Sequence, residues 1–170
     1  MYILETARLT FRKMVEADVD LIMEIFSDPI AMQYYPSTYP REVALKWIHW
    51  NMKNYEEVGT GLWICELKDD RSFVGQCGII PQIVDEKQEM EIGYLFVRKH
   101  WGKGLATEAA IATLNYGFKE LGFSRLIATI YHKNEPSIRL AERIGMKFEK
   151  RTFVGKSDDV IYSIQKNNLE

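Results

Sequence analysis

The sequence predicts an α/β fold built on a mixed central sheet, on three observations. Up to residue 97, short β-rich runs follow one another across polar turns, which is the grammar of antiparallel strands. Beyond that point helical patterns stand between strands, which makes βαβ crossovers and parallel pairing. No linker or low-complexity tract interrupts the 170 residues, and 46% hydrophobic content supplies one full core, so residues 1–170 are expected to form a single domain.

Residues 3 to 14 alternate, with Leu9 and Phe11 flanking polar Thr10 and followed by Arg12, and read as the opening strand. Glu16-Ala17-Asp18 leads into Val19, Leu21, Ile22, Ile25 and Phe26 at helical spacing, the acids standing where a helix dipole favours them, and Asp28-Pro29 ends that helix. Gln33 to Pro40 is aromatic and proline-punctuated, hence a loop, serving either for packing or as a wall for a substrate. Pro40 fits the first turn of a second helix running to about Tyr55, with Ala44, Trp47, Ile48 and Tyr55 as its stripe.

Leu62 to Leu67 and Phe73 to Ile80 form a hairpin across the polar turn at residues 68–72, and Asp85 to Gln88 make the next turn. The strand Met90 to Val97 follows. Its alternation slips, since Met90, Ile92, Tyr94 and Phe96 keep one phase while Leu95 and Val97 are apolar in the other; burial on both faces or a bulge near Gly93 would explain this. A helix from Ala106 to Leu121 is capped by Gly122, and Arg125 to Tyr131 returns as a strand parallel to the previous one. Asn134 to Ser137 starts a further helix, striped by Ile138, Ala141 and Ile144 and capped by Gly145. Met146 to Phe153 and Val160 to Ile164 are the last strands, joined by a turn at residues 155–159.

A formal charge of −2 gives no field for nucleic acid, and no run approaches the ~18 apolar residues of a membrane span, so neither partner is expected and a cytoplasmic location is. Cys65 and Cys77 lie in apolar strands and read as reduced core thiols. His49, His100 and His132 show no zinc spacing, and no metal is expected.

The junction from Glu91 to Ala109 carries the chemistry. A strand breaks at a basic turn with Gly102 and Gly104 and passes into an Ala-rich helix, which leaves free N–H groups around a concave turn where phosphate binds. It is not a Walker A loop, because Leu105 follows Gly104 where Lys-Ser/Thr is needed. It is not a dinucleotide fingerprint either, because Thr107 stands at the third glycine position and Ser124-Arg125 where an acid belongs.

Trp101-Gly102-Lys103-Gly104-Leu105-Ala106 resembles the acyl-CoA motif Gln/Arg-x-x-Gly-x-Gly/Ala of the GCN5-related N-acetyltransferase (GNAT) superfamily, with Trp101 in place of Gln or Arg. The run through Thr107-Glu108-Ala109 is similar to the variant in its RimJ/RimL branch. So are Leu4 to Arg12, and the block Asn134-x-x-Ser137 with Glu142 to Phe148.

The resemblance implies a single-domain GNAT fold with a splayed parallel pair of strands. It implies acetyl-CoA as cofactor, its pyrophosphate on the amides of Gly102 to Thr107 and its pantetheine arm along main-chain groups of Leu95 and Val97, with Asn134 also in contact. Lys103 is either a charge beside the phosphates or a solvated surface lysine. A backbone N–H near Leu95 would hold the oxyanion, Ser137 would protonate the leaving thiolate, and Glu91 is proposed as the base, acting through water; the alternatives are that Ser137 is a first-turn helix residue with a local hydrogen bond, Asn134 a plain N-cap and Glu91 a surface carboxylate beside Glu89. The acceptor is a primary amine, by resemblance a protein N-terminal α-amine, with polyamines, antibiotics and other small amines as the other class. A non-catalytic acyl-CoA-binding domain is the rival. Exposed edge strands in this fold pair, so a homodimer is a further expectation.

Overall fold

A computed structural model describes residues 1–169. Its elements, in chain order, are β1 (Leu4–Glu5), β2 (Leu9–Lys13), α1 (Val19–Phe26), α2 (Arg41–Glu57), β3 (Leu62–Leu67), β4 (Phe73–Val84) and β5 (Lys87–Phe96). Then follow α3 (Leu105–Lys119), β6 (Arg125–Tyr131), α4 (Glu135–Arg143), β7 (Lys147–Val154) and β8 (Ser157–Gln165). All eight strands join one mixed sheet in the order β1-β2-β3-β4-β5-β6-β8-β7.

The core divides between two groups of helices. Stripe residues of α1 and α2, among them Ile22, Ile25, Ala44 and Ile48, pack with Phe11, Ile64 and Cys65. On α3 and α4, Leu114, Phe118, Leu140 and Ala141 pack with Ile79, Ile92, Leu126 and Ile164. Small residues set the spacing of these layers. A Cβ at Gly117 of α3 would stand 2.6 Å from Ile79 Cδ1, and one at Gly78 of β4 would stand 2.1 Å from the Gly61 carbonyl oxygen. Both cysteines are buried and free, as their apolar runs predict.

Two sequence expectations change. The β4–β5 hairpin extends past Ile80 and starts again before Met90, because Asp85 and Glu86 both take positive φ (48° and 67°) and close a two-residue turn of the type that matches strand twist. The register then runs unbroken from Val84↔Lys87 to Gly75↔Phe96, so there is no bulge near Gly93. The slipped alternation reflects cover on both faces: Ile92 packs into the α3–α4 cluster, while Leu95 packs into the α1–α2 cluster.

Strands β5 and β6 are parallel, as a helix crossover requires, but they share only the pair Glu91↔Ile127. Beyond it they part, and the site opens between them. Strand β8 enters between β6 and β7, antiparallel to both.

Candidate active site

The glycine turn has the conformation its residues permit. Gly102 and Gly104 both stand at φ 75°, a region where a Cβ is strained, and Gly104 is the N-cap of α3 with no side-chain cap. The Glu108 N–H bonds the Gly104 carbonyl at 3.0 Å, so the N–H groups of Leu105, Ala106 and Thr107 precede the first intrahelical bond and remain available to an anion. The turn is tied down from outside. Glu108 accepts hydrogen bonds from the Thr6 hydroxyl (2.6 Å), the Arg8 N–H (2.9 Å) and Arg8 Nε (2.7 Å), and Arg8 Nη1 donates to the Lys103 carbonyl at 2.9 Å. Arg143 of α4 reaches over to donate to Thr107 Oγ1 at 3.0 Å. The Lys103 side chain is exposed.

A cavity of about 340 Å³ lies against this turn, bordered by Trp101, Gly102, Gly104 to Thr107 and Arg143. A second, of about 620 Å³, extends between the parted strands to Glu91, Thr129 and Asp159. The two meet at a waist formed by Tyr34, Tyr35, Tyr94, Leu95, Asn134 and Ser137. The Asn134 side chain caps α4, accepting from the Ser137 N–H at 3.2 Å, and the Tyr94 hydroxyl donates to the Ser137 carbonyl at 3.1 Å.

Strand register decides which main-chain groups face the opening. The Val97 N–H donates to the Val74 carbonyl at 2.9 Å, and alternate residues of β5 point the same way, so the main-chain groups of Leu95 and Val97 belong to the ladder with β4. Those of Tyr94 and Phe96 face the opened side. The edge expected at Leu95 and Val97 is therefore displaced by one residue, and Val97, buried, borders neither cavity. Trp101 folds back over this edge, its indole N–H donating to the Phe96 carbonyl at 2.9 Å.

Glu91 is buried, with 8% exposure, and is no surface carboxylate beside Glu89. It accepts from the Thr129 hydroxyl at 2.6 Å and more weakly from Gln82 at 3.4 Å. Burial pushes its carboxyl up to about 7, against the lowering influence of those two hydrogen bonds. Burial likewise raises the Tyr94 hydroxyl, which is protonated at neutral pH. Glu91 thus stands on the far side of the waist from the glycine turn, nearly poised between its two protonation states at neutral pH.

Several contributors were not singled out in the sequence. Tyr94, Thr129, Gln82 and Asp159 come from strands whose facing depends on register. Arg8 and Glu108 are a hundred positions apart and meet only in the fold. The tyrosine-rich loop does line the second cavity, with Tyr34, Tyr35 and Tyr39, as do Trp47 and Trp50 of α2. Among the described residues no cluster of three His, Cys, Asp or Glu side chains could hold a metal, and no helix is long and apolar enough to cross a membrane.

Residues 8–147 match the family model described as acetyltransferase (GNAT) domain. The chain is 44% identical over 148 residues to YkkB of Bacillus subtilis (strain 168), covering 86% of each chain. It is 34% identical over 151 residues to p20 of Bacillus licheniformis, named as an uncharacterized N-acetyltransferase, covering 88% of this chain and 84% of that one. A GNAT-family acetyltransferase structure from Bacillus anthracis superposes with a TM-score of 0.80 at 32% identity, covering 98% of this chain and 99% of that chain. The family model spans most of the chain and the fold superposes over nearly all of it, so the chain belongs to that family: it is a GNAT-family N-acetyltransferase.

Proposed function

We propose that the protein transfers acetyl directly from acetyl-CoA to a primary amine, with Glu91 as base and the glycine turn as the cofactor's anchor. The observation that carries this is the pair of cavities meeting at one waist, phosphate-binding amides on one side and a buried carboxyl of pKa about 7 on the other. The residues fit the cofactor: two glycines at positive φ, uncapped helix amides and an adjoining cavity are what a pyrophosphate and its arm require. A solved RimL structure in complex with coenzyme A shares the fold at 15% identity and a TM-score of 0.79, which supports the same cofactor.

In this reading the amides of Leu105, Ala106 and Thr107 hold the pyrophosphate, and Arg143 stands beside them. Trp101 shields the edge on which the arm lies, and that edge is Tyr94 and Phe96 by register. Acetyl-CoA supplies an acetyl group activated as a thioester. Glu91, through a water, takes one proton from the ammonium form of the acceptor; the amine nitrogen bonds to the acetyl carbon, the carbon–sulfur bond breaks, and the second proton on that nitrogen replaces the one Ser137 gives to the sulfur. A main-chain N–H of β5 at the waist stabilises the charge developing on the acetyl oxygen, and the Ser137 hydroxyl donates toward the departing sulfur. Asn134 fixes Ser137 by capping its helix.

The resemblance to RimJ/RimL suggests a protein α-amine as acceptor, which at neutral pH is already about one-tenth neutral and makes small demands on a base. The second cavity supports a small amine instead. Its walls come from the tyrosine loop, α2, the β4–β5 hairpin and the β7–β8 hairpin, and enclose it on several sides.

The test is thiol release from acetyl-CoA with an amine panel across pH. A kcat/KM that rises with an apparent pKa near 7 and loses that rise in Glu91→Gln supports the reading. Tight CoA binding with no thiol release on any amine refutes it in favour of a binding domain.

A further inference from the structure

The inference concerns the acceptor half of the site and rests on the transferase reading above. Among the described residues, the charged side chains bordering the second cavity are Glu91 and Asp159, with no Lys, Arg or His. Asp159 is only 6% exposed. Its chain neighbour Asp158 pairs with Arg151 at 2.8 Å and faces His132, whereas Asp159 accepts a hydrogen bond from the Ser157 hydroxyl and has no cationic partner within 4 Å among the described residues. Burial raises its carboxyl, the Ser157 hydrogen bond and the more distant His132 act against that, and a carboxylate so placed on a cavity wall gains from a cation brought in from outside.

Its place is fixed by strand pairing. Asp159 stands opposite Tyr131, and Ile161 opposite Thr129, so Thr129, Tyr131 and Asp159 share one face of the sheet. Thr129 is the residue that holds Glu91. Two residues along and one strand across puts the Asp159 backbone roughly 8 Å from that of Thr129. The two acids thus reach the cavity from different strands, Glu91 from β5 and Asp159 from β8, with β6 between them, near enough that Asp159 raises the Glu91 carboxyl. Aromatic side chains lie between and around them: Tyr35, Tyr39, Trp47, Trp50 and Tyr131 border the same space. Aromatic faces attract both apolar bodies and cations.

We propose that the acceptor is a small diamine on a flat apolar body, with its reacting amine at Glu91 and its second ammonium at Asp159. A linear triamine would bring three cations to two acids. The transfer step is the one given above, C–N bond formed and C–S bond broken, with one proton passing to Glu91 and one supplied to the sulfur. The second ammonium keeps its proton throughout.

The probes are p-xylylenediamine, its monoamine match 4-methylbenzylamine, spermidine and a hexapeptide with a free N-terminus. Calorimetry measures binding to the CoA-loaded protein, and thiol release measures turnover. The diamine is expected to exceed the monoamine about thirty-fold in both affinity and kcat/KM, as a buried charge pair warrants. Asp159→Asn should collapse that ratio toward one, and Asp159→Glu should retain most of it. Folding of each variant is checked by its CoA affinity, which a local change at Asp159 leaves intact.

Equal use of diamine and monoamine overturns the proposal, as does a ratio that survives Asp159→Asn, or tighter binding of spermidine or the hexapeptide than of the diamine. Acetylation of the hexapeptide without diamine binding sinks this inference and leaves the transferase standing. Asp159-dependent diamine binding without thiol release on any amine does the reverse: the ligand class stands and the transfer reading falls.

Discussion

Glu91→Gln should make the protein more stable, and the size of the gain follows from burial. The carboxyl is raised from its ordinary value of 4.5 to about 7 because desolvation disfavours its charged form. Between those two values the folded state holds a proton that the unfolded chain has released, so stability falls as pH rises through this window and levels off above pH 7. The penalty amounts to about 3 kcal/mol at pH 8 and under about 1 kcal/mol at pH 5. Glutamine matches the protonated side chain in shape, and its carbonyl oxygen can accept from Thr129 and Gln82 as the carboxyl does.

Urea denaturation of both proteins at the two pH values measures the difference. The expected result is a variant slightly more stable at pH 5, clearly more stable at pH 8, and catalytically impaired at both. A variant no more stable at pH 8 than the parent would refute the assignment of a buried, desolvated carboxyl, and with it the ground on which Glu91 is proposed as the base.

The other expectations test separate parts of the site. Gly104→Val places a β-branched residue at φ 75° in the cofactor turn, and calorimetry should show CoA affinity reduced at least about ten-fold; unchanged affinity would remove the turn from the site. Ser137→Ala should lower kcat by roughly a hundred-fold with little change in the KM for acetyl-CoA, whereas equal loss in kcat and gain in KM would mark a packing role. Gly78→Ala drives a methyl to 2.1 Å from the Gly61 carbonyl oxygen and should cost more than about 3 kcal/mol by denaturation, with a neutral result contradicting the β3–β4 register.

What was legible in the sequence was local. Gly102 and Gly104 announce a turn that needs positive φ, Asn134 announces a cap, and helical stripes announce which faces are buried; each is set by a few neighbouring residues. What was hidden depended on pairing at a distance. The hairpin of β4 and β5 runs beyond Ile80 because Asp85 and Glu86 turn tightly without the Gly or Asn that usually signals such a turn. The open edge of β5 carries the main-chain groups of Tyr94 and Phe96 rather than those of Leu95 and Val97, because a strand apolar in both phases does not reveal which residues bond which neighbour. Asp158 and Asp159 read alike as part of a polar turn, and only the pairing of β8 with β6 buries Asp159 while Asp158 stays half-buried. The tyrosines of residues 34–39 were readable as packing or as a wall, and the fold gives both: Tyr39 packs edge-on against Phe26, while Tyr34, Tyr35 and Tyr39 line the second cavity.

The central claim is that one opened strand pair holds the cofactor and presents its acyl end to Glu91. A crystal structure with coenzyme A bound addresses it directly. The account predicts the pyrophosphate on the amides of Leu105 to Thr107, the arm hydrogen-bonded to Tyr94 and Phe96, and the sulfur at the waist beside Ser137. An arm paired with Leu95 and Val97, or a sulfur pointing away from the cavity that contains Glu91, would contradict it.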